Sequence, residues 1–95
     1  MPHMFALYQN APNPFNPETV IRYDVPPPGG KVTLTAYDVS GRLVRTLVDG
    51  VQSAGQHFVR WDGRNDGGRG MASGIYFCRM TAAGFTEKRK MVLLR

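Results

Sequence analysis

Ninety-five residues with 42% hydrophobic, 11% aromatic and 20% charged side chains make one domain's worth of chain with a modest core, which excludes a disordered tail. A net charge of +5, from 12 Lys+Arg against 7 Asp+Glu, speaks to solubility and weak attraction for anions rather than to fold. Eleven glycines and seven prolines leave little room for long helices, and they are segregated: every proline lies at or before Pro28, every glycine at or after Gly29.

In chain order, Met1-Pro-His-Met4 reads as an added leader, with the natural segment starting near Met4 or Phe5. A short strand is expected near Phe5–Gln9. Residues 5–18 form a Pro-rich arm. Pro12, Pro14 and Pro17 fix φ, remove N–H donors and push the preceding residues toward extended backbone. Asn13 and Asn16 suit Asx-type turns, and Phe15 is the large apolar group expected to anchor the arm.

Thr19 to Val25 alternates, with Ile21, Tyr23 and Val25 on one face and Arg22 and Asp24 on the other. That period predicts a strand with one buried face. A second strand is predicted from Lys31 to Asp38, burying Val32, Leu34 and Ala36, then a turn at Asp38-Val-Ser-Gly41. Arg42 to Val48 is the third, followed by a loop bounded by Gly50 and Gly55. The fourth, Gln56 to Trp61, puts His57, Val59 and Trp61 on one face and Phe58 and Arg60 on the other. After the glycine-dense loop Asp62–Gly70 come Ile75–Thr81, with Tyr76, Cys78 and Met80 inward, a short connection at Ala82-Ala-Gly84, and Phe85–Leu94. Six strands and a short seventh, with turn signals every 8–12 residues or so, predict an all-β fold: an immunoglobulin-like antiparallel β-sandwich of about seven strands over residues 19–95. Trp61, Tyr76, Leu34 and Ile21 are the expected core.

Little in the chain suits catalysis. His57 reads as a rim or partly buried histidine, and no serine sits in a G-x-S-x-G elbow. Cys78, the single cysteine, reads as a buried small hydrophobe and excludes an intrachain disulfide. Asp62-Gly-Arg-Asn-Asp-Gly67 partly matches a calcium loop, but Arg64 holds the third position and Ser73 stands where the bidentate Glu would fall. Asp62 is therefore expected to cap the turn, and no metal or cofactor is expected. Lys88-Arg-Lys90 and Arg95 are basic but lack interleaved stacking aromatics, so no nucleic acid is expected; charges outward on an edge strand guard against aggregation. No run reaches the ~18–20 apolar residues of a membrane span, so no membrane insertion is expected. If the last strand lies at a sheet edge, its free backbone groups offer β-edge self-association or strand addition. An appended glycan-binding module would need exposed aromatics; Phe58, Phe77, Phe85 and Tyr37 are the candidates.

Several motifs are familiar together. Tyr8-Gln-Asn-Ala-Pro-Asn-Pro-Phe-Asn-Pro17, Thr19-Val-Ile-Arg-Tyr23, Val32–Gly41, Gly55–Gly63, Ser73-Gly-Ile-Tyr-Phe77 and Lys90-Met-Val-Leu-Leu94 resemble, in order, type A C-terminal sorting domains of the type IX secretion system. They are also similar to the Ig-like domain of the flagellar hook-capping protein. The resemblance covers roughly residues 7–95. It implies a non-catalytic sandwich that directs a covalently attached N-terminal cargo, already in the periplasm, through the outer-membrane translocon to the cell surface or medium. A sortase then commonly removes the domain. The family's most signal-like parts fall on Gly74, Tyr76, Lys90, Met91, Val92, Leu93, Leu94 and Arg95. Its structural motifs fall on Asn13, Pro14, Phe15, Asn16, Pro17, Trp61, Asp62 and Gly63. Cys78 stands where an aromatic is frequent, and Ala11 where Tyr is frequent. The alternative reading is a non-catalytic structural or glycan-binding Ig-like module appended to a secreted enzyme.

Overall fold

The computed structural model describes residues 1–95. Seven strands follow one another: β1 (Ala6–Leu7), β2 (Thr19–Val25), β3 (Gly30–Asp38), β4 (Leu43–Gln52), β5 (Gly55–Trp61), β6 (Gly74–Ala82) and β7 (Phe85–Leu93). They form a three-stranded sheet, β1-β2-β5, and a four-stranded sheet, β4-β3-β6-β7, with every ladder antiparallel. The alternation seen in the sequence sets the faces. Ile21, Tyr23, Val25 and Trp61 from one sheet meet Val32, Leu34, Ala36, Tyr76, Cys78, Met80, Met91 and Leu93 from the other, all buried. The expected all-β, antiparallel sandwich is the fold.

Some details of the strands depart from the sequence reading. β4 runs through Gly50 to Gln52 rather than ending at Val48, because Gly30 and Val32 of β3 pair with Gln52 and Gly50. Those ladder bonds outweigh the weak strand preference of glycine. Asp24, placed on the solvent face, is only 6% exposed. Tyr8 folds over it and donates its hydroxyl to Asp24 Oδ2 at 2.6 Å, while the Arg22 guanidinium lies 4.3 Å from the Tyr8 ring centre. That hydrogen bond to a carboxylate raises the Tyr8 pKa above the ordinary phenol value.

The turn after β3 forms as expected. Gly41 N–H closes it on Asp38 O at 3.0 Å with φ +85°, and Asp38 Oδ1 accepts the N–H groups of Ser40 and Arg42 and the Ser40 hydroxyl. The Ser40 hydroxyl first, then the Arg42 N–H, hold the Asp38 carboxyl below the ordinary carboxylate range. A carboxyl depressed by folding stabilises above its unfolded pKa and loses that contribution as pH falls through the folded one. Asp38→Asn is therefore expected to flatten the acid limb of stability between those two values. An acid limb identical to wild type in urea titrations at stepped pH would refute this.

The arm of residues 5–18 and the rest of the chain share one core. β1 adds to β2, Ala11 pairs with Val20, and Phe15 is 1% exposed. Asn10, which no pattern singled out, is buried and donates Nδ2–H to Pro12 O at 3.1 Å and Thr19 Oγ1 at 3.0 Å.

Candidate functional site

Most of the motif residues of the arm, of the loop after β5 and of the end of β7 meet at one end of the sandwich. Trp61, the last residue of β5, is fully buried there. Phe15 from the arm lies 5.5 Å from its ring and Tyr76 from β6 lies edge-on, also 5.5 Å away at 75°. Trp61 Nε1–H donates to Arg64 O at 2.9 Å, which pins the start of the loop to the core. The Tyr76 hydroxyl donates to Ala72 O at 2.7 Å and pins its end. Burial raises the Tyr76 pKa, Asp38 adds to the rise and Arg95 opposes it.

Within the loop the carboxylates face arginines and backbone donors. Asp62 Oδ1 accepts from Arg64 N–H at 3.1 Å and from Arg45 Nη1 at 3.3 Å; Asp66 Oδ1 accepts Thr46 N–H at 3.0 Å. Asp62 thus acts as the turn cap that its position predicts, and no three His, Cys, Asp or Glu side chains are grouped as a metal site.

The arm stitches the outer edge of β7. Phe15 N–H donates to Val92 O and Leu94 N–H to Phe15 O, both at 2.9 Å. Asn13 Oδ1 accepts Val92 N–H at 2.9 Å, so Asn13 bridges to β7 instead of closing an Asx turn. Gln9 Nε2–H donates to Lys90 O, and Arg89 Nε–H to Leu7 O. β7 is an edge strand, and along its outer side Lys90 O, the Val92 N–H and C=O and the Leu94 N–H are already bonded. The alternation of an antiparallel ladder leaves Thr86, Lys88 and the Lys90 N–H as the open stretch.

The signal-like residues divide between core and surface. Tyr76, Met91 and Leu93 are buried; Val92 is half-buried; Lys90, Leu94 and Arg95 are exposed; Gly74 begins β6 opposite Leu93. Pro14, Asn16, Pro17 and Asp62 line the same end, with Gly63 packed against Pro17 O and Leu93. Arg95 N–H donates to Ser73 Oγ at 2.8 Å, and its guanidinium to the carbonyls of Met71 and Gly63. Ser73, Met71 and Gly70 carried no sequence signal that tied them to Arg95.

The aromatic candidates fall on separate surfaces. Phe58 is 65% exposed on the three-stranded sheet, and Phe85 packs on Phe5 at 5.9 Å. Tyr37 and Phe77 border an open cleft of about 220 Å³ on the four-stranded sheet, beside Arg79 and Lys88. His57 is half-buried, stacked on Tyr23 at 5.1 Å, with Nε2 2.7 Å from Ser53 O. Cys78 is 1% exposed and burial pushes its thiol up to about 12. At pH 8 the native thiol is therefore protonated and shielded, and iodoacetamide should label it only after unfolding. Labelling of the native protein at the rate of a free thiol would contradict that placement.

Two packed antiparallel sheets with this strand order and an aromatic core define an immunoglobulin-like module. The family model of the FlgD Ig-like domain matches residues 15–84, and the chain belongs to that family. This is the second of the two resemblances drawn from the motifs. The basal-body rod modification protein FlgD of Salmonella typhimurium is 43% identical over 56 residues, which are 59% of this chain and 24% of that protein. The chain therefore corresponds to a small part of the curated relative. Among solved structures, dimeric latent PorU from Porphyromonas gingivalis superposes with a TM-score of 0.72 at 21% identity, covering 99% of this chain and 10% of PorU. PorZ, an essential surface component of the type IX secretion system of Porphyromonas gingivalis, gives 0.65 at 20% identity, covering 95% of this chain and 12% of PorZ. At such identities the likeness establishes the fold.

Proposed function

We propose that this domain is a C-terminal sorting signal of the type IX secretion system. It carries a covalently attached N-terminal cargo from the periplasm through the outer-membrane translocon to the cell surface or medium, and a sortase removes it there. It has no catalytic role of its own in this reading. The observation that supports it most is the gathering of the motif residues into one folded end: Lys90, Leu94 and Arg95 are exposed while Asn13, Phe15, Trp61 and Tyr76 hold the segment behind them in place. A receptor can read such a surface only when the sandwich is folded. The fold shared with PorU and PorZ is consistent with this assignment.

Residues 5–95 fused to a periplasmic reporter, in a host with this secretion system, are expected to send the reporter to the surface or medium. Deleting residues 90–95 should retain it in the periplasm. Equal export with and without those residues would refute a signal in the terminal strand.

Membership of the FlgD Ig-like family favours a second reading, a structural module that stays attached. Mass spectrometry of the exported protein separates the two. Loss of the domain supports sorting, and an intact C-terminus supports the structural module.

A further inference from the structure

The loop between β5 and β6 does more than connect them. Its carbonyls at Gly63 and Met71 turn toward the same point, and the Arg95 guanidinium occupies it. Gly63 O accepts Arg95 Nη2–H at 2.9 Å and also Met71 N–H at 2.8 Å, so both lone pairs of one oxygen are used. Met71 O accepts Nε–H. Ser73 Oγ takes the Arg95 backbone N–H at 2.8 Å. Between Met71 and Ser73, Ala72 is fixed by the buried Tyr76 hydroxyl, which sets the direction of both neighbours.

Two glycines make the space. A Cβ on Gly70 would lie 3.1 Å from Arg95 Nη2 and 3.3 Å from Cζ; one on Gly63 would lie 3.0 Å from Nη2. Gly63 also has φ +74°, a region L side chains rarely adopt, whereas Gly70 has no positive φ, so what a side chain at 70 meets is the guanidinium. No carboxylate lies within ion-pair distance of Arg95. The recognition is therefore a planar fork of N–H donors read by neutral oxygens. That geometry suits guanidinium and not a lysine ammonium, whose donors sit on a single atom.

We propose that residues Gly63–Ser73 form a guanidinium-binding socket, filled by the Arg95 side chain of the same chain. The socket does not rest on the sorting reading; it stands or falls on purified domain. With Arg95 removed, it takes a free guanidinium compound of the same shape.

The first arm of the test is a ligand titration of the full chain followed by the amide NMR signals of Gly63, Gly70 and Met71. In Arg95→Ala, arginine amide at tens of millimolar is expected to move these signals saturably, while lysine amide is not. Wild type should respond less than Arg95→Ala at every concentration, since its own tethered side chain competes for the socket. Equal shifts in wild type, equal shifts with lysine amide, or no shift in Arg95→Ala would each overturn the socket. The second arm is a double-mutant cycle with Gly70→Val. Arg95→Ala is expected to lower the thermal midpoint by roughly 4–8 °C in the wild-type loop, the size of about one ordinary net hydrogen bond in a domain this small. In Gly70→Val the loss should be clearly smaller, because a Cβ at 70 already stands 3.1 Å from Nη2 and the two branching methyls need the room the guanidinium takes. Additive losses would place Arg95 outside the socket.

Discussion

Trp61→Ala is expected to lower stability by about 3–5 kcal/mol, the usual range for emptying a large aromatic site in a core. The site is poorly placed to collapse. Phe15 and Tyr76 contact the indole from the arm and from the opposite sheet, each at 5.5 Å, and both are themselves fixed by backbone bonds. The substitution also deletes the Nε1–H bond to Arg64 O, which frees the start of the loop that holds Arg95. Against the ~5–15 kcal/mol typical of whole domains, such a loss leaves the variant near the edge of folding. Urea denaturation followed by far-UV circular dichroism measures it. A loss under about 1 kcal/mol would show that Phe15 and Tyr76 close over the vacated site.

Phe15→Ala is expected to cost a similar amount, about 3–5 kcal/mol, but with a different local signature. Phe15 is 1% exposed, and its own N–H and C=O bond to Val92 and Leu94. Removing the ring takes away the apolar anchor and leaves those bonds to hold the arm alone. The arm between Tyr8 and Pro17 should become the first site of proteolytic cleavage under native conditions, before any part of the sandwich is cut. Trp61→Ala should instead open the loop and the arm together. If both variants gave the same cleavage pattern as wild type at equal fractions folded, the arm would be held by its hydrogen bonds and not by Phe15.

Much of the sandwich was legible because period-two burial is a local property. Ile21, Tyr23 and Val25, or Tyr76, Cys78 and Met80, declare their inward face within a few residues. Phe15 was legible as an anchor because it is the lone large apolar group among prolines. What escaped depends on partners far along the chain. Gly50 reads as a strand end until Val32 is set opposite it. Asp24 reads as solvated until Tyr8 covers it from another strand. Asn13 reads as a turn former, yet its acceptor meets an N–H in β7. The terminal residues stand out by resemblance, while the loop that holds Arg95 reads as a connection with a weak calcium-like pattern. No spacing within residues 62–73 announces two carbonyls aimed at one guanidinium.

The stitching between arm and β7 also sets an order of events. The bonds Asn13–Val92, Gln9–Lys90 and Leu7–Arg89 close spans of 79, 81 and 82 residues. Contacts of that separation carry the highest loop-closure entropy and form late. The arm precedes β7 in the chain, so it waits without its partner strand until β7 has emerged. Without β7 the N–H and C=O of Phe15 and the Asn13 side chain have no partners in the seam, so the arm and the last strand of the sandwich can close only together.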